Sequence, residues 1–329
     1  MDRKFYKSNK IVMKLAVDYY PFLKFYHSGP KVFLNRLVNS INKNQLCKIH
    51  SPFLPFFDIG LYSVYKKNLF NKKYVLRVDG IYFDAQNTFG NTNTLNKKIF
   101  DSIDDSSGVI FISEFSKIMV EAFHGRINKP YTIIHNKVPL NLFKPNGHNF
   151  RSKLGLKKSD KVLITSAHWR RHKRLKETIE LTNLLNQYND KYKLIILGGK
   201  KIKNDNPNIF FVGEVAPNQL SPWYRTADIY IHLAWIEPCG NTQIEAMASG
   251  LPVICCNNGG IGETVKSANG GIISECDMVF YPKLIDYYNP PKPNFNKLIE
   301  AIKEIYDNYE KYKNLINYKS LNIDLAAYQ

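Results

Sequence analysis

One stretch of the sequence decides the fold, and it reads Glu237-Pro238-Cys239-Gly240-Asn241-Thr242-Gln243-Ile244-Glu245-Ala246-Met247-Ala248-Ser249-Gly250-Leu251-Pro252-Val253-Ile254. Gly240 and Asn241 precede a run of helix-forming residues, and Gly250 ends that run. This pattern predicts a short helix of about ten residues, followed by a fully apolar strand over residues 251–256. Residues 237–254 are called the signature segment below.

Two carboxylates and a helix start lie together in the signature segment. A helix that follows a tight glycine-containing loop exposes unpaired backbone N–H groups and the positive end of its dipole, which favours a phosphate group. Glu237 precedes the predicted helix and Glu245 lies just over one turn inside it, so the two side chains flank the predicted anion site. The alternative interpretation is an ordinary β/α unit with two solvated glutamates.

The signature segment resembles the Glu-x7-Glu motif of retaining glycosyltransferases in the GT-B group 1 family, also called GT4. Two glutamates at this spacing are common by chance, so the resemblance also rests on residues 246–254 and on residues 259–265, Gly-Gly-Ile-Gly-Glu-Thr-Val. In that family the first glutamate faces the donor sugar, the second binds the ribose hydroxyl groups, and the backbone between them holds the diphosphate. The resemblance assigns these roles to Glu237, to Glu245, and to Gly240, Asn241 and Thr242.

Apolar strand-like runs alternate with helical stretches on both sides of a polar segment, residues 142–158. The alternation is typical of α/β proteins with parallel sheets, and the polar segment is the best linker candidate. Together with the resemblance, it predicts the GT-B fold, in which two Rossmann-like domains face each other across a cleft. We expect an acceptor-side domain over residues 1–145, a nucleotide-sugar-binding domain over residues 146–305, and a C-terminal helix over residues 306–329 that packs back on the first domain.

A cationic run, His168-Trp169-Arg170-Arg171-His172-Lys173-Arg174, follows the first predicted strand of the second domain. The family has an arginine and a Lys-Gly pair here, whose two cations neutralise the donor diphosphate. Lys173 matches the lysine, His168 stands at the arginine position, and Arg174 replaces the glycine. We therefore expect Lys173 first and Arg171 second to bind the diphosphate, with a solvated basic helix start as the alternative.

Two further segments resemble donor-binding loops of the same family. Residues 211–215 resemble the strand-end loop whose backbone reads the base, which implies donor contacts from Glu214 and Val215. Residues 28–31 resemble the glycine-rich loop of the first domain that approaches the sugar and the phosphates, which implies a contact from Gly29. An ordinary turn explains residues 28–31 equally well.

Asp79 is the third catalytic candidate, beside Glu237 and Lys173. It ends a predicted first-domain strand at Arg77-Val78-Asp79-Gly80, near a position where many relatives have a histidine that contacts the donor sugar or the acceptor. The competing interpretation is a carboxylate that caps the following turn. Nearby in the resemblance, Lys137 replaces the glycine of the family's His-Asn-Gly-Val-Asp segment.

The composition excludes several classes of protein. No apolar run approaches the ~20 residues that a membrane-spanning helix needs. Residues 11–17 are too short and too charged for a signal peptide and predict a first core strand. Five cysteines without a disulfide framework or metal spacing predict reduced thiols and a cytoplasmic location.

The formal net charge of +18 arises from 46 lysines and arginines against 28 aspartates and glutamates. The basic residues are dispersed along the chain, so three interpretations stay open: an ordinary solvated surface, attraction to acidic glycans, and peripheral association with an anionic membrane that carries a lipid-linked acceptor. Nucleic acid is not expected as a partner, because no helix-turn-helix, zinc-finger or RNP-type pattern is present.

The resemblance implies transfer of a sugar from a nucleoside diphosphate sugar to a hydroxyl group of a glycan, lipid or small molecule, with retention at the anomeric carbon. It also implies catalysis without a metal or other cofactor. Asp104-Asp105, followed by Ser106-Ser107-Gly108, predicts a turn rather than an Asp-x-Asp metal motif. Two alternatives remain: a GT-B-fold nucleotide-sugar epimerase, and a non-catalytic basic subunit that binds glycan or membrane. The donor base, the sugar and the acceptor cannot be read from these patterns.

Overall fold

The computed structural model of the 329-residue chain describes residues 13–18, 29–66, 70–83, 92–187, 191–200, 206–282 and 286–329. Part of the predicted first strand (residues 11 and 12) and Ser28 of the predicted glycine-rich loop lie outside these ranges. Within them, no helix combines the length and the apolar character needed to cross a membrane.

The first sheet contains six parallel strands: β1 (Lys14–Val17), β2 (Lys48–His50), β3 (Ile59–Ser63), β4 (Tyr74–Val78), β5 (Gly108–Phe111) and β6 (Tyr131–Ile133). They lie in the order β2-β1-β3-β4-β5-β6. Among the described residues of this part, the helices are α1 (Gly29–Lys43), α2 (Thr92–Asp105) and α3 (Glu114–His124).

The second sheet also contains six parallel strands: β7 (Lys161–Ser166), β8 (Tyr192–Leu197), β9 (Ile209–Gly213), β10 (Ile229–His232), β11 (Val253–Cys256) and β12 (Gly271–Ser274). Their order, β12-β11-β10-β7-β8-β9, reverses between β7 and β10. In sheets of this kind the reversal opens a crevice beyond the carboxyl ends of the two strands, where ligands bind. The helices of this part are α4 (Leu175–Asn186), α5 (Leu220–Tyr224), α6 (Thr242–Ala248), α7 (Ile261–Ser267), α8 (Phe295–Asp307) and α9 (Tyr309–Leu315).

Both faces of the second sheet are buried. Val162 and Ile164 of β7 pack into the core on one face, whereas Leu163 packs into the core on the other. A parallel sheet that is covered on both faces needs apolar side chains at successive positions, which is why its strands read as continuous apolar runs in the sequence. The two parallel sheets with their helices confirm the predicted GT-B architecture.

The C-terminal segment returns to the first sheet through α10 (Tyr318–Leu321) and α11 (Ile323–Tyr328). The N–H of Val138 donates to Leu321 O and the N–H of Ile323 donates to Val138 O, both at 2.9 Å. Ile323 and Ala326 join the core of the first sheet, where α11 packs on α1. The domain boundaries at residues 145 and 305 stay predictions.

Local predictions were wrong at two places. Helix α6 has seven residues rather than about ten, because its first backbone bond runs from Glu245 N to Asn241 O and Gly250 follows it at φ +94°. Asp104 and Asp105 do not form a turn, since they are the last two residues of α2. Strands β2 and β3 were not predicted, and β2 is a three-residue edge strand whose sequence alternates charge and apolar character.

Candidate active site

Lys173 and Glu237 meet where the strand order of the second sheet reverses. Lys173 ends a short 3-10 turn that follows β7, and Glu237 follows β10, the neighbouring strand. Lys173 Nζ lies 2.5 Å from Glu237 Oε1, and both side chains are largely buried. The structure therefore brings two of the three predicted catalytic residues into direct contact, at the place where a doubly wound sheet binds ligands.

Glu237 has a second partner, because its Oε2 lies 2.9 Å from His232 Nε2 at the end of β10. Burial raises the pKa of the Glu237 carboxyl, but Lys173 and His232 outweigh that effect and hold the pKa well below its usual range. Glu237 is thus an anion at neutral pH with a cation on one oxygen and an imidazole on the other.

The backbone around Glu237 is held in an uncommon conformation. Ile236 is fully buried with φ +48°, a left-handed conformation that costs a β-branched residue about 1–3 kcal/mol. The carbonyl of Glu237 accepts a hydrogen bond from Gly260 N at 2.9 Å. A Cβ atom on Gly260 would lie 1.9 Å from Pro238 O, so only glycine fits there. These constraints fix where the Glu237 side chain begins.

Glu245 lies in the first turn of α6 and is buried. Its Oε1 lies 2.5 Å from Arg36 Nη2 of helix α1, and its Oε2 accepts a hydrogen bond from the Tyr224 hydroxyl at 3.0 Å. Burial and the neighbouring Glu245 raise the pKa of Tyr224 well above its ordinary value, so the phenol keeps its proton and acts as a donor. The second predicted glutamate is therefore bound from both sides of the cleft.

The loop between the two glutamates faces the start of α1. Asn241 Nδ2 donates to Gly29 O at 3.4 Å, which brings two predicted donor-binding residues together across the cleft. Thr242 Oγ1 lies 2.7 Å from the Tyr230 hydroxyl. Gly240 O accepts a hydrogen bond from Gln243 Nε2 at 2.9 Å, which tightens the turn into α6.

Arg171 does not reach the Lys173–Glu237 pair. Its Nη1 lies 2.7 Å from Glu177 Oε1, on the helix that follows, and its side chain is 39% exposed. The structure therefore separates the two cations that the sequence grouped together, and the diphosphate role of Arg171 stays a prediction.

Arg174 explains a departure from the family pattern. It has φ +53°, a left-handed conformation that a glycine adopts at no steric cost. Its side chain is fully buried and Nη2 lies 2.8 Å from Asp277 Oδ1. A carboxylate oxygen of Asp277 also lies within 4.8 Å of the sulfur atoms of Cys256 and Cys276. A guanidinium already lies against this cluster, because Arg174 Nη1 is 3.6 Å from Cys256 Sγ.

The predicted base-reading residues lie at the end of β9, at the edge of the second sheet. Glu214 is exposed, and Val215 packs partly against the core. Gly213, at φ +88°, accepts a hydrogen bond from Gly198 N at 2.7 Å and so ends the strand. Glu214 and Val215 lie two strands away from β7, outside the cluster around Glu237.

Asp79, at the carboxyl end of β4, forms an ion pair with the buried Arg77. Arg77 Nη2 also donates to Asn136 Oδ1 at 2.6 Å, and Asn136 Nδ2 donates to Cys239 O at 3.3 Å. Burial raises the pKa of Asp79, and Arg77 opposes that shift only in part. Asp79 is therefore linked through two side chains to the signature segment, on the first-domain side of the cleft.

Glu263 joins the two halves of the molecule. Its carboxylate accepts hydrogen bonds from the N–H groups of Glu114 and Phe115, both at 2.8 Å, and lies 3.1 Å from His135 Nε2. Burial raises the pKa of Glu263, but His135 and these N–H groups outweigh it and lower the pKa. A carboxylate from the second sheet thus completes the N-terminal cap of α3, which Ser113 begins.

Sequence reasoning missed three residues of this site: Arg36, His232 and Glu263. His232 could have been found, since a histidine at the end of an apolar strand precedes Glu237 by five positions. Glu263 lies inside the glycine-rich segment that supported the resemblance, but its partners are 148 and 149 positions away. No sequence signal marks Arg36.

Comparison with known proteins gives a family. The model of the family described as "Glycosyl transferases group 1" matches residues 147–321, more than half of the chain. The putative glycosyltransferase YtcC of Bacillus subtilis is 26% identical over 263 residues, which cover 72% of this chain and 60% of that protein. The alpha-monoglucosyldiacylglycerol synthase of Streptococcus pneumoniae is 26% identical over 170 residues, 47% of this chain and 38% of that protein.

Solved structures share the fold over nearly the whole chain. A sucrose-phosphate synthase from Thermosynechococcus elongatus superposes with a TM-score of 0.71 at 15% identity, and 97% of each chain is covered. Anabaena Alr3699/HepE, solved in complex with UDP and glucose, superposes with a TM-score of 0.61 at 16% identity, covering 96% of this chain and 94% of that one. The chain spans only 38% to 60% of the two relatives given above. With this family match and this two-domain fold, the chain belongs to the group 1 glycosyltransferases of GT-B architecture.

Proposed function

We propose that the protein transfers a sugar from a nucleoside diphosphate sugar to a hydroxyl group, with retention at the anomeric carbon. The observation that carries the proposal is the arrangement of Lys173, Glu237 and Glu245 around one crevice at the reversal of the second sheet. A cation, an unprotonated carboxylate and a second, buried carboxylate in the first turn of the helix that follows match the needs of a diphosphate, a sugar and a ribose.

Each residue has a physical role in this proposal. Lys173 and the backbone of Gly240, Asn241 and Thr242 neutralise the diphosphate, so that no metal is required. Glu237 orients the sugar and stabilises the positive charge that develops as the nucleotide leaves. Glu245 binds the ribose hydroxyl groups. The departing phosphate oxygen accepts the proton of the attacking hydroxyl on the same face of the sugar.

The remaining predicted residues have roles at the periphery of the crevice. Gly29 approaches the sugar and the phosphates from the first domain, and Glu214 and Val215 read the base. Asp79 contacts the sugar or the acceptor. Closure of the two domains excludes water and suppresses hydrolysis of the donor.

The first experiment is a thermal-shift series with UDP, GDP, ADP and their common sugar conjugates. A ligand that binds only the folded state adds about 2.7 kcal/mol at 100 times its Kd. We expect one nucleoside diphosphate to raise the unfolding midpoint of the wild type and of Glu300→Ala, an exposed-glutamate control, but much less that of Glu245→Ala. The absence of a shift with every nucleotide would contradict the proposed transferase activity and leave only the fold assignment standing.

Turnover assays separate the alternatives. A transferase releases the nucleoside diphosphate from its donor, and the release accelerates when an acceptor hydroxyl is supplied. An epimerase changes the sugar while the nucleotide stays attached, and a binding subunit does neither. The paired Lys173 and Glu237 favour turnover, because charge pairs that shift pKa values inside a crevice are typical of catalytic sites.

We further propose that the acceptor is a glycan or lipid-linked hydroxyl at the cytoplasmic surface of an anionic membrane. One relative is named as a glucosyldiacylglycerol synthase. The chain has a formal charge of +18, and the loop between β2 and β3 exposes the apolar side chains of Phe53, Leu54 and Phe56. Exposed aromatic residues and dispersed cations are what attract a peripheral protein to anionic lipid.

Vesicle sedimentation tests the membrane proposal. We expect binding to phosphatidylglycerol vesicles that weakens at high salt and in Phe56→Ser, with little binding to phosphatidylcholine. Equal binding to both vesicle types, or none to either, would leave a soluble glycan as the acceptor.

A further inference from the structure

His232 lies inside the crevice and belongs to none of the motifs that indicate the donor site. It is the last residue of β10, pairs with Cys255 of β11 in the register of the sheet, and is buried. A rigid central strand therefore sets the position of its ring. A Cβ atom on Gly240 would lie 3.3 Å from His232 Cε1, so the loop of the signature segment packs closely against the imidazole.

The His232 imidazole and Lys173 each bind one oxygen of the Glu237 carboxylate. Lys173 Nζ binds Oε1 at 2.5 Å and His232 Nε2 binds Oε2 at 2.9 Å. A lysine ammonium is a flexible point charge, so by itself it attracts the carboxylate without fixing the rotation of its plane. A second donor on the other oxygen, placed by a β-strand, fixes that rotation. The hydrogen bond also defines the neutral imidazole's tautomer, because Nε2 must carry the proton that Glu237 accepts.

The backbone also restricts the position of the Glu237 side chain, at its main-chain end. Ile236 is held in the left-handed conformation immediately before Glu237, and Glu237 O is bonded to Gly260 N at 2.9 Å. Residues in such conformations persist where the surroundings over-determine them, and they cluster at functional sites. Glu237 is thus constrained at its main chain and at both carboxylate oxygens.

We infer that His232 is a positioning residue that holds the Glu237 carboxylate in the orientation required for sugar transfer. It acts through Glu237 and does not itself contact the nucleotide. The inference rests on the proposed function, in which Glu237 faces the sugar. Its consequence is a separation of effects: loss of the His232 hydrogen bond slows turnover and leaves binding of the nucleoside diphosphate, which lacks the sugar, unchanged.

The test compares two amides at position 232. The side-chain amide of His232→Gln reaches the place of Nε2, whereas that of His232→Asn is one methylene shorter and does not. His232→Leu removes the hydrogen-bond donor to Glu237 altogether. It shows whether an effect of the Asn variant comes from the lost hydrogen bond rather than from the polarity of the amide. Each purified full-length variant is assayed for release of nucleoside diphosphate from UDP-glucose, GDP-mannose and ADP-glucose, with kcat and KM measured on the donor that the wild type uses. The Kd for the corresponding nucleoside diphosphate and the thermal midpoint are measured in parallel.

We expect kcat to fall about 100-fold in His232→Asn and His232→Leu, the cost of misplacing a reacting group by about 1 Å, and to recover at least about tenfold in His232→Gln. The Kd for the nucleoside diphosphate should stay within about threefold of the wild type in all variants that fold. The inference is overturned if Asn and Gln are equally active, or if turnover and nucleotide binding fall together. A wild type that neither binds nucleotide nor turns over a donor removes the proposed function first, and this inference with it.

Discussion

Arg36 and Glu245 form an ion pair across the cleft, with 2.5 Å between Nη2 and Oε1. The Glu245 side chain is only 4% exposed, because Arg36 covers one oxygen and the Tyr224 hydroxyl binds the other. Arg36 Nη1 is buried, and no residue in the described part of the chain forms a hydrogen bond with it. Glu245, the residue proposed to bind the ribose, is thus bound by Arg36 of the opposite domain. Ribose hydroxyl groups and Arg36 would therefore compete for the Glu245 carboxylate.

The first prediction concerns that competition. Arg36→Met keeps the length of the side chain and removes its charge, so Glu245 loses a charge-assisted hydrogen bond worth about 1.5–3 kcal/mol. We expect a lower unfolding midpoint without ligand and binding of the nucleoside diphosphate that is about tenfold tighter by calorimetry. Lys43→Met is the control, because Lys43 is an exposed cation on the same helix and its partner is Asp324 rather than Glu245. Weaker nucleotide binding in Arg36→Met would show instead that Arg36 contributes to the donor site.

The second prediction concerns the contact between Glu263 and the start of α3. Glu263→Ala removes the carboxylate that accepts from the N–H groups of Glu114 and Phe115, so we expect a loss of about 1–2 kcal/mol in urea unfolding at pH 7. The pKa of Glu263 is lowered in the folded state, so its contribution is present above the unfolded pKa of about 4.5 and is lost as the pH falls below it. Wild type and variant should therefore converge in acid. A difference that persists at pH 3 would assign the loss to packing.

The sequence was most informative where a segment's own residues determine its structure. The apolar strand before Asn257 follows from its own residues, and Lys173 and Glu237 both lie just beyond strands of the second sheet, β7 and β10. The length of α6 was overestimated because helix propensity does not show that Gly240 and Asn241 stay outside the helix.

Contacts between the two halves could not be predicted. Arg36 and Glu245 are 209 positions apart, and nothing in either local segment indicates that their side chains meet. Arg171 shows a second limit of the sequence. The sequence grouped it with Lys173 because both are cations two positions apart, but the short turn directs it to Glu177. Side-chain direction within a turn depends on tertiary packing that a charge pattern does not contain.

The third prediction is a pH dependence that originates at His172. Burial, with Lys173 beside it, lowers the pKa of His172 to about 3, and the ring stacks on Tyr287 with 4.2 Å between centroids. Between pH 6.5 and 3 the unfolded chain binds a proton that the folded protein excludes, so stability falls as the pH falls through this window. His172→Phe keeps the stacking and removes the titration. We expect the stability of the variant to fall less between pH 7 and 4 in urea unfolding, and equal slopes would contradict the assignment.

The fourth prediction separates the two candidate cations. Lys173→Met leaves the buried Glu237 carboxylate with His232 alone, and breaking one side of a buried ion pair costs about 3 kcal/mol. The pKa of Glu237 is lowered in the folded wild type, so this contribution is present above the unfolded pKa of about 4.5 and is lost below it. The cost of the substitution should therefore be large at pH 7 and shrink in acid.

Arg171→Met is the matched variant, since it removes a cation from the same turn whose partner, Glu177, lies outside the crevice. We expect Lys173→Met to weaken binding of the nucleoside diphosphate at least about tenfold, the loss of one charge-assisted phosphate contact. Arg171→Met should change that affinity by less than about threefold. If both variants lose the nucleotide equally, Arg171 must leave Glu177 when the donor binds, and the crevice gains a second phosphate ligand. If only Arg171→Met loses it, Lys173 serves Glu237 alone and the proposed division of roles in the crevice is wrong.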